Sequence, residues 1–236
     1  MRTARSNAIC KSVVMKSYDV RGLLSQELAE LRTLVGDLDE TDLTQMTACA
    51  GWHVADLVVH MRFGAESILQ GLVAATNQPV DRDAVSYWAD WPPRGPATFS
   101  QVRWTWAQSS SYSNASGLKT HFDDTAAAAQ LAITGSGTGR IQFQSHVMLV
   151  DELLSMWITE FAIHHLDLIR HLKNRQGPSK ELLKLVVDSL QTLTGSSDLE
   201  GWDEHTFIQK VTGRDAITDA ERNRLGERQS RFPAFG

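Results

Sequence analysis

One glutamate and two histidines in this chain are spaced so that they could hold a metal ion. Glu160 and His164 stand four residues apart in the run Glu160-Phe161-Ala162-Ile163-His164-His165-Leu166-Asp167-Leu168. On an α-helix that spacing puts both side chains on one face. A second apolar run, Gly51-Trp52-His53-Val54-Ala55-Asp56-Leu57-Val58-Val59-His60, can deliver His60 from a neighbouring helix. Two imidazoles and one carboxylate leave room for a fourth partner, as in a catalytic rather than a closed structural centre. The glutamate carries most of the weight, because a carboxylate inside so apolar a run is costly to bury without a positive partner. A lone histidine on an apolar helix face, by contrast, is more often a hydrogen-bonded core residue.

Neighbouring residues compete for the site or support it. His171 lies seven residues beyond His164 on nearly the same face, while His165 points about 100° away. Either His171 or His53 would close the site if it served as a fourth ligand. Asp167 shares the Glu160/His164 face and is a candidate to orient a histidine from behind, with His53 a second candidate for such a supporting role. Asp56 reads as a helix cap. Trp52 is a candidate contact for a bound cofactor, although the seven tryptophans read most simply as core or loop anchors.

Helices must position these residues. Apolar residues recur every three or four positions between about Val13 and Leu38, which predicts one amphipathic helix. A second helix is expected from near His53 through Leu72, and a third from Thr98 to about Gly117 with Val102, Trp106 and Tyr112 inward. A long fourth helix is expected from His146 to Lys173, and a fifth from Ser179 to Leu193 with Pro178 in its first turn. The connection from Asn77 to Pro96 contains four of the six prolines and the Trp88/Trp91 stretch, and a connection of that length suggests a functional loop. With the segment from His121 to Gly139, it is a candidate wall for an aromatic-lined pocket. The flanks of Thr134-Gly135-Ser136-Gly137-Thr138-Gly139, Ala127 to Ile133 and Arg140 to Gln144, could pair as a hairpin. In the tail, short helices are expected over Asp203 to Val211 and Thr218 to Leu225, the latter opened by a Thr218/Glu221 capping box. The sum is an all-α chain: a four-helix bundle with long crossover loops over residues 1–175, and a short helical C-terminal extension over 176–236 packing on the same domain. Metal sites in such bundles are built from facing helices.

Composition narrows the function classes. With 42% hydrophobic residues in 236, the chain can bury a full core. A net charge of -5 with scattered basic residues disfavours nucleic acid as a partner, and no apolar run is long enough to span a membrane. The residues after Met1 lack an apolar signal core, so a cytoplasmic location is expected. Cys10 and Cys49, far apart and without C-x-x-C spacing, read as two free thiols.

The stretch Thr47-Ala48-Cys49-Ala50-Gly51-Trp52-His53-Val54-Ala55-Asp56-Leu57-Val58-Val59-His60 resembles the T-x-C-P-G-W-[ST]-V-x-D-L-V-x-H signature of the mycothiol-dependent maleylpyruvate isomerase family, part of the DinB/YfiT-like superfamily. Glu160 to Leu168 is similar to its second signature, E-x-x-x-H-x-x-D-L. The tail segments Gly201-Trp202-Asp203, Thr206 to Arg214 and Phe232-Pro233 resemble shorter members. Ala50 stands where proline is usual and His53 where a Ser/Thr cap is usual. The larger C-terminal α/β domain of the dedicated isomerases has no counterpart in the sequence, which leaves the substrate open. The resemblance implies a DinB/YfiT-like bundle in which His60, Glu160 and His164 bind Zn2+ or another divalent metal. It also implies a low-molecular-weight thiol cosubstrate, mycothiol first, with glutathione or bacillithiol as alternatives. The implied activity is S-transfer to a small electrophile or thiol-assisted cis-trans isomerisation, in a chain that could pair as a homodimer. A noncatalytic metal-binding or stress-response bundle and a zinc-dependent hydrolase are the alternatives.

Overall fold

The computed structural model describes residues 18–89 and 96–234. Cys10, the start of the first expected helix and Trp91 lie outside them. Helix α1 (Val20–Gly36) opens on Asp19, whose carboxylate accepts from the Gly22 N–H, and a one-turn helix α2 (Glu40–Leu43) follows. Helix α3 (Val54–Leu72) begins just after His53, whose backbone N–H donates to the Asp56 carboxylate at 2.9 Å. Asp56 is therefore the cap the sequence suggests.

The connection after α3 holds the short helix α4 (Ala84–Ala89) and helix α5 (Pro96–Ser109). Helix α6 (Ala115–Gly135) comes next, capped by Asn114. Two short antiparallel strands, β1 (Arg140–Phe143) and β2 (His146–Leu149), pair with Arg140 opposite Leu149 and Phe143 opposite His146. Helix α7 (Val150–Ile169) leads straight out of β2.

Helices α1, α3, α6 and α7 form the bundle, with α1 and α3 each packed against both α6 and α7. Leu24, Leu28, Leu31, Leu57, Ile68, Phe122, Ile133 and Phe161 are essentially inaccessible to solvent in its centre. Helix α8 (Lys180–Thr194) packs on α4 and α7, α9 (Glu204–Val211) packs on α8, and α10 (Asp219–Leu225) leads into a 3-10 turn over Gly226–Arg231. Ser179 caps α8, so Pro178 precedes that helix rather than opening it. Thr218 and Glu221 form the expected capping box. No helix among the described residues is long and apolar enough to cross a membrane.

Three expectations need correction. The helix placed at Thr98–Gly117 is two helices broken at Asn114, and Trp106 is 42% exposed rather than inward. Ala127 to Ile133 is helical, so the hairpin lies one segment later, between Arg140–Phe143 and His146–Leu149. The segment from His121 to Gly139 belongs mainly to a bundle helix, and its His121 side chain bonds to the Tyr112 hydroxyl at 2.7 Å.

Close approach of α3 to α7 depends on Gly64, one turn past His60. A Cβ built there would sit 3.0 Å from the Trp157 ring and 3.1 Å from the Phe161 ring, and rigid rings cannot yield as a flexible chain end can. Alanine gains about 1 kcal/mol of helix propensity over glycine, but forcing the helices apart costs about 1–3 kcal/mol. Gly64→Ala is therefore expected to be neutral to destabilising by up to roughly 2 kcal/mol, and Gly64→Val to be worse still. Urea unfolding midpoints check this; a stabilised Gly64→Val would refute it.

Candidate metal centre

Helices α3 and α7 bring His60, Glu160 and His164 to one point. Glu160 Oε1 lies 3.1 Å from His60 Nε2 and 3.2 Å from His164 Nε2, and the three donor atoms are all within 4.8 Å of one another. The edge of a tetrahedral site with ligands at 2.0–2.1 Å is about 3.3 Å, so the two nitrogen–oxygen separations are close to what a bound divalent cation would require. The imidazole rings meet edge to face at 4.7 Å. That arrangement lets both Nε2 atoms approach the carboxylate without stacking.

The far side of His164 is held as well. Its Nδ1 lies 2.9 Å from Asp167 Oδ2, one helical turn on and fully buried. A carboxylate behind a ligating histidine fixes the ring and leaves Nε2 as the lone-pair donor. Asp167 therefore has the supporting place that its spacing suggests. The same oxygen accepts from Cys49 Sγ at 3.1 Å and from Arg214 Nη2 at 2.9 Å, while Arg214 Nε reaches Oδ1 at 3.1 Å.

These contacts set the charges. Burial alone would raise the Glu160 pKa, but His164 and His60 outweigh it and hold the carboxyl well below the usual range. Burial likewise works against ionisation of Asp167, and the Arg214 guanidinium outweighs it. His60 is pushed down mainly by loss of water around its ring. At His164, burial is overcome by the Glu160 and Asp167 carboxylates, and the pKa rises well above the ordinary value. Without a cation, the cluster thus keeps its carboxylates ionised around a protonated His164, so a metal entering there displaces a proton.

The other candidates stand apart from the cluster. The His53 side chain is 54% exposed and lies 3.4 Å from Asp56, and His171 is exposed beyond the end of α7. Neither is among the described residues that could share a cation with His60, Glu160 and His164. His165 points to α1 and meets Glu27 at 2.7 Å. Trp52 is nearly buried with its ring 4.9 Å from that of His60. One turn beyond His60, the Phe63 ring lies 4.0 Å from that of Trp104 on α5. Trp88 packs against Tyr87 instead. The His60 side chain is the most open of the three donors at 32% exposure, against 15% for Glu160 and 8% for His164.

The model of the mycothiol maleylpyruvate isomerase N-terminal domain matches residues 24–169. The chain belongs to that family. The match spans all three donors and Asp167 and ends before Arg214. Two solved chains of the mycothiol-dependent maleylpyruvate isomerase share the maleylpyruvate isomerase bundle, each covering 74% of this chain and 68% of its own length with a TM-score of 0.51. One is a histidine-to-alanine mutant, 12% identical to this chain, and the other is 14% identical. At such identity the likeness establishes the DinB-like fold alone. No curated protein matches the sequence.

Two residues of the centre escape a reading of local spacing. Cys49 reads as an ordinary free thiol, yet its sulfur touches Asp167. Arg214 appears in the sequence only as part of the tail's resemblance to family members. A buried arginine needs a carboxylate partner, but sequence gives no means of pairing it with one 47 residues away.

Proposed function

We propose that this chain is a metal-dependent enzyme using a low-molecular-weight thiol, with mycothiol as the first choice. The thiol would either isomerise a small conjugated electrophile by reversible addition to its cis double bond or be transferred to the electrophile. One observation carries the reading: two imidazole nitrogens and a carboxylate oxygen converge on one point, with no fourth His, Cys, Asp or Glu grouped with them among the described residues. Membership of a family named for a mycothiol-dependent isomerase supports the thiol and the isomerase chemistry.

Zn2+ suits the donor set, and when bound it supplies the positive charge that brings the pKa of a coordinated thiol towards neutrality. His60, Glu160 and His164 would hold the ion, and Asp167 would keep the His164 ring in register. Trp52 would shield His60 from bulk water, and Phe63 and Trp104 offer apolar faces beside it for a conjugated substrate. We assign the bundle to residues 1–175 and read 176–236 as an extension folded onto it. The protein is taken to work in the cytoplasm, with a homodimer as the assembly to test.

The test is elemental analysis of the purified protein, followed by titration of mycothiol and of glutathione into a cobalt-substituted sample and assay with maleylpyruvate. Near-stoichiometric metal and a thiolate-to-cobalt absorption band are expected, with turnover that requires the thiol. Metal without a thiol band would favour the noncatalytic bundle, and turnover of esters or amides without thiol would favour the hydrolase. Protein that binds no divalent metal would end the proposal.

A further inference from the structure

The feature furthest from the bundle's own logic is a buried guanidinium delivered to the back of the site from the C-terminal segment. Arg214 lies three residues past α9, outside the stretch matched by the family model. Its side chain is only 9% exposed. Nε and Nη2 grip the two oxygens of Asp167 at 3.1 and 2.9 Å, and Nη1 donates to the Thr212 carbonyl at 2.9 Å. The guanidinium is therefore aimed by its own segment before it reaches the carboxylate. Asp167 has no solvent exposure, and its backbone oxygen accepts from the Ala48 N–H at 3.4 Å. Through this backbone bond and the carboxylate's contacts with Cys49 and Arg214, Asp167 ties together α7, the loop before α3 and the tail.

Cys49 Sγ, His164 Nδ1 and Asp167 also lie close enough to suggest a second cation site. The fixed positive charge argues against it: Arg214 Nη2 is 2.9 Å from Asp167 Oδ2 and 3.8 Å from Cys49 Sγ. A planar fork that cannot lose its proton already occupies the face a cation would need. Its effect is to keep Asp167 as an acceptor behind His164 and to stop it swinging away as a competing ligand.

We infer that Arg214 is a positioning residue of the metal centre, and that docking of the C-terminal segment and metal binding by His60, Glu160 and His164 are coupled through Asp167. This rests on the metal-dependent reading above. Coupling between two sites is reciprocal, so metal should steady the segment as the segment favours metal. The direction of the effect separates positioning from charge. Removing a positive charge near a cation site would by itself tighten cation binding, whereas loosening the carboxylate behind His164 weakens it. Loss of a partner behind a ligating histidine typically weakens metal binding about 10–100-fold.

The experiment uses the full chain as wild type, Arg214→Met and Arg214→Lys. Zinc affinity is read by competition with a chromophoric chelator, site geometry by the visible bands of the cobalt form, and segment docking by amide exchange over 204–214 with and without zinc. Arg214→Met is expected to bind zinc at least about tenfold more weakly, with shifted cobalt bands. Arg214→Lys, which keeps charge but not the fork, should recover part of the loss, and zinc should slow exchange over 204–214 in the wild type. Unchanged or tighter zinc binding by folded Arg214→Met overturns the inference, as does exchange indifferent to zinc. Should Arg214→Met fail to fold, Arg214→Lys decides, with unchanged affinity and cobalt bands counting against. If the wild type binds no zinc, the functional reading falls and the inference falls with it; if it binds zinc and the variants match it, only the inference falls.

Discussion

Protein carrying Glu160→Gln is expected to emerge from purification without bound metal. Its affinity should fall by more than the 10–100-fold typical of losing a partner behind a ligand. Both imidazoles face the same oxygen, Glu160 Oε1, at 3.1 and 3.2 Å, so this atom is the shared corner of the site. An amide of equal size leaves the helices packed but removes the one anionic donor, and two neutral nitrogens with a carbonyl oxygen hold a divalent cation poorly. The fold should survive, because the amide nitrogen or oxygen can still meet either histidine. Two controls sharpen the result. His53→Ala and His171→Ala change the two histidines that the sequence offers as a fourth ligand, but both are exposed and neither is grouped with the three donors among the described residues, so metal content should not change. Elemental analysis after gel filtration reads all three variants. Full occupancy in Glu160→Gln, or its loss in His171→Ala, would mean that the metal is held elsewhere.

That contrast shows what spacing can and cannot reveal. Glu160 with His164, and Asp167 one turn on, were legible because helical periodicity puts them on one face. His60 was legible only as a member of a neighbouring helix, since nothing local to it specifies its partner. The rejection of His171 could not be read, because it depends on α7 ending at Ile169, and helix ends are set by caps and packing more than by periodicity. The α5/α6 division is hidden in the sequence for a related reason. Apolar residues continue at compatible intervals through Trp106 and Tyr112 into Leu118, whereas the break is marked by side-chain caps at the start of α6, where the Gly117 N–H donates to Asn114 Oδ1 and the Ala115 N–H to Glu40 Oε1. The sequence puts the hairpin one segment early because its strands are four residues each, too short to stand out from the adjacent alanine-rich helix. Asp167 to Arg214 is harder in kind: two oppositely charged residues far apart in sequence carry no periodicity that links them.

The largest stability effect should come from beneath the site rather than within it. Glu27 of α1 and His165 of α7 are 1% and 2% exposed and meet at 2.7 Å, and His165 Nε2 lies 3.0 Å from the Gln176 carbonyl oxygen. Because a carbonyl only accepts, Nε2 carries a proton, and a second proton lies between Nδ1 and the Glu27 carboxylate. Among the described residues Glu27 Oε2 has no hydrogen-bond partner, and His165 is the described side chain that compensates this carboxyl buried between two bundle helices. Replacing His165 by leucine keeps most of the volume and removes that compensation. We expect His165→Leu to destabilise the fold by about 3–5 kcal/mol, the usual cost of stranding one member of a buried pair. A Glu27→Leu/His165→Leu double variant should regain most of that loss, since an apolar pair of similar volume often equals or exceeds a buried ion pair in stability. Glu27→Gln should cost only about 1 kcal/mol, because the amide can donate to Nδ1 while Nε2 keeps its carbonyl. Urea unfolding of the four proteins at neutral pH measures the asymmetry. A double variant no more stable than His165→Leu would show that packing shape, rather than the stranded carboxyl, sets the cost. The pair would then join α1 to α7 by fit alone, and the polar contact would be incidental to it.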